Sequence, residues 1–206
     1  MKKRNLVLGQ LNTGKTSCFC LPEIIRTRAK NIFYIGKDFS DRQLIILKNA
    51  KIEVFFTSVE ELQITKSKFK RVYVINSITP VDFELVNLKY INDRRSLLII
   101  NNINKLENVS EASLLPIKKL LITCQTFTDL DGIINYNSVK FINSFNSLSF
   151  FTPLINANDI EKISDITGVY EEDLLDVDCK MYMRYYTSHF FKIKYIKKEF
   201  IYQTQP

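Results

Sequence analysis

A chain of 206 residues, 46% hydrophobic and 25% charged, is long and apolar enough for one domain with a buried core, alone or with a small appendage, and its five glycines and five prolines argue against long flexible linkers. A formal charge of +7 suits a polyanionic partner, although the basic residues are spread along the chain as on an ordinary solvated surface. Four cysteines beside a single histidine argue against a Cys/His metal centre and for buried, reduced thiols, and no apolar run reaches transmembrane length, so a soluble intracellular protein is expected.

The basic start, Met1-Lys2-Lys3-Arg4, gives way at once to Leu6-Val7-Leu8, which predicts a short buried strand in place of a secretory apolar region. That strand runs into Gly9-Gln10-Leu11-Asn12-Thr13-Gly14-Lys15-Thr16, which meets the P-loop pattern G-x-x-x-x-G-K-[ST] without substitution. Residues 16–25 predict the helix such a loop requires. The chemistry is local. Gly9 and Gly14 let the backbone curl, so that main-chain N–H groups of Gln10, Leu11, Asn12, Thr13 and Ser17 can converge on one anion. The helix start aims its partial positive charge at the same point. Lys15 then reaches the β- and γ-phosphates and Thr16 holds Mg²⁺. The expected ligand is a nucleoside triphosphate, taken as ATP, with Mg²⁺.

Further short apolar runs, bounded by polar residues, follow at 31–35, 52–56, 72–75, 97–100, 120–123 and 140–145. They read as strands buried on both faces, alternating with helical segments. The fold class is therefore α/β, a mostly parallel central sheet flanked by helices, with a P-loop domain over residues 1–150. Ligands of such sheets sit at the carboxyl ends of the strands, which directs attention to Asn76, Ser77, Asn101, Asn102, Cys124 and Gln125. Residues 151–206 predict a smaller extension packed on this domain. Helices are expected over 158–166 and 171–177, with Asp159 and residues 171–173 supplying negative charge near their starts. Residues 190–202 alternate basic and apolar side chains. They fit either an edge strand guarded by lysine or a helix, and offer a basic-aromatic surface to a nucleic-acid backbone.

A hydrolytic P-loop enzyme needs an acid at the end of a neighbouring strand. Strand 97–100 ends in Asn101-Asn102 and strand 72–75 in Asn76-Ser77. Strand 120–123 runs into Gln125, a position from which a side chain can contact the γ-phosphate or the attacking water. The segment Leu121-Ile122-Thr123-Cys124-Gln125-Thr126-Phe127, with Asn137, Phe141, Ser144, Phe145 and Asn146 downstream, resembles the poxvirus-type genome-packaging ATPases of the FtsK–HerA superfamily of P-loop NTPases. Strand 31–35 and the run 97–103 resemble that family's second strand and its Walker B strand, so the resemblance extends over roughly residues 5–146.

The resemblance implies an ATP-hydrolysing motor that translocates double-stranded DNA into a viral capsid. Such a motor works as a homo-oligomeric ring with nucleotide between neighbours. Its partners would be capsid or membrane-associated assembly proteins, in the host cytoplasm or at the virion assembly site. Lys15 and Thr16 take the phosphate and metal roles, Gln125 the sensor role. Asn101 and Asn102 fall where the family has paired acids, and Asn135 where it has an arginine. An amide oxygen can ligate a metal but cannot take up a proton. Losing a general base costs roughly 10²–10⁴ in rate, and losing an arginine finger roughly 10³–10⁵. Glu107, Glu111, Asp129 and Asp131 are the candidate replacement acids, and Arg26, Arg28, Arg94 and Arg95 the candidate fingers. Two alternatives stand beside the motor: a non-hydrolysing nucleotide-binding assembly module, and a small P-loop kinase, for which a cluster of lid arginines is missing.

Overall fold

The short β-branched and aromatic runs form strands because side chains on alternate faces of each can be buried against helices on both sides. The computed structural model describes residues 3–10, 14–64, 67–75, 83–84, 86, 90–91, 93–103, 109, 111–131, 141, 144–151, 154, 156–167, 170–175, 181–185 and 194–197, and side chains for all of these except residues 111, 131, 166–167, 173, 181–185 and 194–197. Strands β1 (Lys3–Leu8), β2 (Asn31–Ile35), β3 (Ile52–Phe56), β4 (Lys70–Ile75), β5 (Ser96–Asn101), β6 (Lys119–Cys124) and β7 (Ser147–Phe151) lie parallel in the order β3-β4-β2-β5-β6-β1-β7. Two antiparallel strands, β8 (Met181–Tyr185) and β9 (Lys194–Lys197), continue the sheet beyond β7.

The period of two sorts the core. Leu6, Leu8, Phe33, Ile35, Leu98, Ile100, Leu120 and Ile122 face one layer, together with Phe127, Phe141 and Ile163. Val7, Tyr34, Val72, Val74, Ile99 and Leu121 face the other, against Cys20, Leu21 and Ile24 of the segment after the P-loop. That segment is a wide π-helical turn (Thr16–Cys20) running into helix α1 (Leu21–Arg26), with α2 (Asp41–Asn49) beside it. Short helices α3 (Glu111–Leu114) and α4 (Thr128–Asp131) flank β6, and α5 (Ala157–Thr167) and α6 (Glu171–Leu175) follow β7.

The α/β sheet expected from the sequence is present, and five of the predicted strands fall within one or two residues of those observed. β1 begins three residues before the expected Leu6. The seventh expectation, a strand over 140–145, is corrected: the described residues Phe141, Ser144 and Phe145 are not in a strand, and β7 occupies Ser147–Phe151 instead. The reason is Arg4. Its fully buried guanidinium lies over the rings of Phe141 and Phe145, 5.6 and 5.0 Å from their centroids, while Nη1 donates to the Leu115 carbonyl at 3.1 Å. These aromatic residues are thereby drawn into packing around a cation. The true strand was disguised by Ser147 and Ser149, both buried; the Ser147 hydroxyl donates to Asn5 Oδ1 at 2.6 Å. In the segment 190–202 the described part, Lys194–Lys197, is a strand; the rest of that segment lies outside the described residues. Strand β8 had no counterpart among the expectations.

Candidate nucleotide-binding site

The carboxyl ends of β1, β2, β5 and β6 meet at one edge of the sheet. The Gly9 N–H donates to the Cys124 carbonyl at 3.1 Å, fastening the start of the P-loop to the end of β6. Gly14 has φ +88°, the left-handed conformation that glycine alone adopts without steric cost. The Cys18 N–H donates to the Gly14 carbonyl at 2.8 Å and opens the helical segment. The Lys15 ammonium is buried and donates to the carbonyls of Gly9 and, at 2.7 Å, of Gln10. Burial pushes its pKa below the ordinary 10.5. Leu11, Asn12 and Thr13 lie outside the described residues.

Gly14, Lys15, Thr16 and Ser17 line one side of a cavity of about 480 Å³. Asn101 and Asn102 line it from β5, and Tyr34, Lys37, Asp38, Ser40 and Gln43 from the end of β2 and the start of α2. The structure therefore gathers Gly14, Lys15, Thr16, Ser17, Asn101 and Asn102 at one cavity. Gln125, half-buried, is not on its wall; it follows Cys124, beside Gly9.

Asn101 is the hub. Its amide Nδ2 donates to Thr16 Oγ1 at 3.1 Å and to the Tyr34 hydroxyl at 2.6 Å. Its Oδ1 accepts from Thr123 Oγ1 at 2.9 Å, and that hydroxyl accepts from the Asn102 N–H at 2.9 Å. Burial raises the Tyr34 pKa, so its hydroxyl stays neutral. Asn102 sits at φ +66°, a turn conformation that asparagine tolerates better than most residues.

The wall from β2 is braced. Gly36 has φ +155°, and a Cβ there would stand 2.8 Å from the Asn101 carbonyl oxygen. Phe39 packs against Tyr34 with centroids 4.4 Å apart and the rings tilted by 37°. Ser40 caps α2: its hydroxyl accepts from the Gln43 N–H at 3.4 Å, and its own N–H donates to Gln43 Oε1 at 2.9 Å, a capping box. Gln43 Nε2 reaches Ser17 Oγ at 3.4 Å. Between these braces Lys37 and Asp38 stand exposed on the cavity. Sequence reading overlooked this loop, yet Gly36-Lys37-Asp38 follows a predicted strand, and the rule that singled out Asn101 points to it equally.

Among the other candidates, Asp129 is occupied in the turn after β6. Its Oδ2 accepts from the N–H groups of Gln125 and Thr126 at 2.7 and 3.2 Å, while buried Asp159 Oδ1 takes the Phe127 N–H at 2.9 Å. Asn76, Ser77, Glu107, Asn135 and Asn137 lie outside the described residues, as do the side chains of Glu111 and Asp131. Arg26 and Arg28 precede β2, and Arg94 and Arg95 precede β5. All four lie at the amino edge of the sheet, opposite the cavity.

A Mg²⁺ ion held by Thr16 and an acid of β5 does not fit this donor set. Asn101 turns its amide N–H toward Thr16, and among the described residues Asp38 is the only carboxylate on the cavity wall and no group of three or more His, Cys, Asp or Glu could hold a metal.

No protein-family model matches the sequence, and no curated protein matches it. Comparison of structures finds the genome packaging NTPase B204 from Sulfolobus turreted icosahedral virus 2. Its complex with AMP aligns with a TM-score of 0.57 at 14% identity, over 93% of this chain and 96% of that one. Its complex with ATP-gammaS gives 0.57 at 13% identity with the same coverage, and its complex with AMPPCP gives 0.55 at 13%. The shared feature is the α/β fold. No helix among the described residues is long and apolar enough to cross a membrane.

Proposed function

We propose that this chain is a nucleoside-triphosphate-binding protein of the viral genome-packaging kind, belonging with the poxvirus-type ATPases of the FtsK–HerA superfamily. The observation that carries the reading is the cavity itself: an intact P-loop turn through Gly14, Lys15 and Thr16, opening at the carboxyl edge of a parallel sheet. Structural similarity over nearly the whole chain to an NTPase solved with AMP and ATP-gammaS supports it. ATP is the expected ligand. Lys15 leaves the carbonyls of Gly9 and Gln10 for the β- and γ-phosphates, main-chain amides from Gln10 to Ser17 cradle the same groups, and Thr16 is the hydroxyl expected beside any Mg²⁺ the triphosphate carries. Gln125 acts as the sensor at the end of the strand between the P-loop strand and the Asn101 strand. Double-stranded DNA, a homo-oligomeric ring and virion assembly proteins complete the reading. Residues 151–206 act as an extension of the 1–150 ATPase domain.

If hydrolysis occurs, Asp38 is the carboxylate among the described wall residues that can deprotonate water, which the amides of Asn101 and Asn102 cannot do. The decisive measurement is ATP turnover with and without double-stranded DNA, compared with Lys15→Ala and Asp38→Asn. The motor reading expects DNA-stimulated turnover that both variants reduce by about 10²-fold or more. Turnover no higher than that of Lys15→Ala under both conditions would leave the second reading, a non-hydrolysing assembly module, which the amides on β5 favour.

A further inference from the structure

We infer that the cavity captures a triphosphate without a divalent cation held by the protein. The inference rests on the nucleotide-binding reading and concerns how the charge of the ligand is met. At the end of β5 the chain presents an amide, and the surroundings dictate which way it faces. Thr123 Oγ1 accepts from the Asn102 N–H at 2.9 Å, so its own proton must go to another acceptor, and Asn101 Oδ1 lies 2.9 Å away. Reversing the Asn101 amide would leave that buried hydroxyl proton without its acceptor. The amide oxygen is therefore committed to Thr123. The N–H groups face Thr16 Oγ1 and the Tyr34 hydroxyl, and at 6% exposure the side chain has little room to rearrange.

The consequence is one of sign. Beside Thr16, where a carboxylate would draw a dication, this chain places the positive end of an amide dipole. A neutral oxygen, Asn102 Oδ1, is buried without a hydrogen-bond partner, and one neutral ligand is a poor substitute for a carboxylate pair. Among the described residues the ionisable groups on the cavity wall are Lys15, Lys37, Asp38 and the neutral Tyr34, so cations there outnumber the carboxylate. An uncomplexed triphosphate carries more negative charge than its magnesium complex and is the better match for that wall.

The experiment is calorimetric titration of ATP into the wild-type chain in EDTA and in millimolar MgCl₂, repeated with Asn101→Asp and Asp38→Asn. The expected result is wild-type affinity in EDTA equal to or tighter than that in MgCl₂. In Asn101→Asp the order reverses, with magnesium tightening binding by about tenfold or more, because a carboxylate then faces Thr16. The wild-type comparison needs no variant, so it stands even if Asn101→Asp fails to fold. Wild-type binding that is tenfold or more tighter with magnesium overturns the inference and leaves the nucleotide-binding reading intact; loss of that preference in Asp38→Asn would assign the ion to Asp38. No binding in either buffer brings down the nucleotide-binding reading and this inference with it.

Discussion

Lys15 carries its charge into a buried position where the carbonyls of Gly9 and Gln10 receive its protons. Desolvation lowers its pKa below 10.5, against smaller opposing contributions from Cys124, Cys20 and Asp129. A phosphate set against the ammonium supplies an anion and raises that pKa again. Between the lowered free value and the raised bound value, binding must take up a proton. ATP affinity is therefore expected to fall as pH rises through the range just below that of an ordinary lysine, where binding takes up a proton. Calorimetry in two buffers of unequal ionisation enthalpy measures that uptake, and a heat independent of buffer across the range would refute it. At this scale legibility was uneven. The roles proposed for Gly14 and Lys15 depend on neighbours in sequence, so they could be read directly. Asn101 could be found as a strand end, but its amide orientation could not, because its partners Thr123, Tyr34 and Thr16 are 22, 67 and 85 residues away.

Among the elements, α2 bears most directly on the site. The Ser40–Gln43 capping box fixes the start of the helix, and Gln43 reaches on to Ser17 of the P-loop helix. Replacing Ser40 by Ala removes a side-chain acceptor from the first turn and costs about 1 kcal/mol. For a chain of this size the midpoint of thermal unfolding should drop by about 2–4 °C per kcal/mol. A melt by circular dichroism checks this, and an unchanged midpoint would mean that water replaces the cap at no cost. The same element shows why the cavity's second wall escaped sequence reading. Ser40 and Gln43 carry a clear helix-start signal, but nothing local says that Gly36 abuts Asn101 or that Phe39 lies on Tyr34. Strand β7 was misread for a related reason. Buried serines look like loop residues until a partner such as Asn5 is known, and Phe141 and Phe145 look like strand residues until Arg4 is found over their rings.

Over the whole molecule, the strand order decides what meets what. Strand β6 lies between β1 and β5, so the turn at Gln125 starts beside Gly9 while Asn101 sits across from Thr123. The common direction of the parallel strands leaves Arg26, Arg28, Arg94 and Arg95 at their amino ends, opposite the cavity. Cys20 and Cys124 are wholly buried in the layers that flank the sheet, and burial pushes the Cys20 thiol up to about 12 and that of Cys124 well above its ordinary value. Thiolate is the reactive form, so both cysteines should resist a disulfide reagent at about pH 8 until the fold opens. Peptide mapping after labelling, with and without guanidinium, is the check; prompt native labelling of Cys124 would show that the carboxyl ends of β1 and β6 open on their own. By itself the sequence determined the parallel α/β class, the P-loop and the position of most strands, because backbone curl, apolar period and strand length are local properties. Tertiary structure alone decided which side chains share the cavity, how the Asn101 amide faces and where Asp38 stands, because hydrogen-bond direction and strand order depend on residues far apart in the chain.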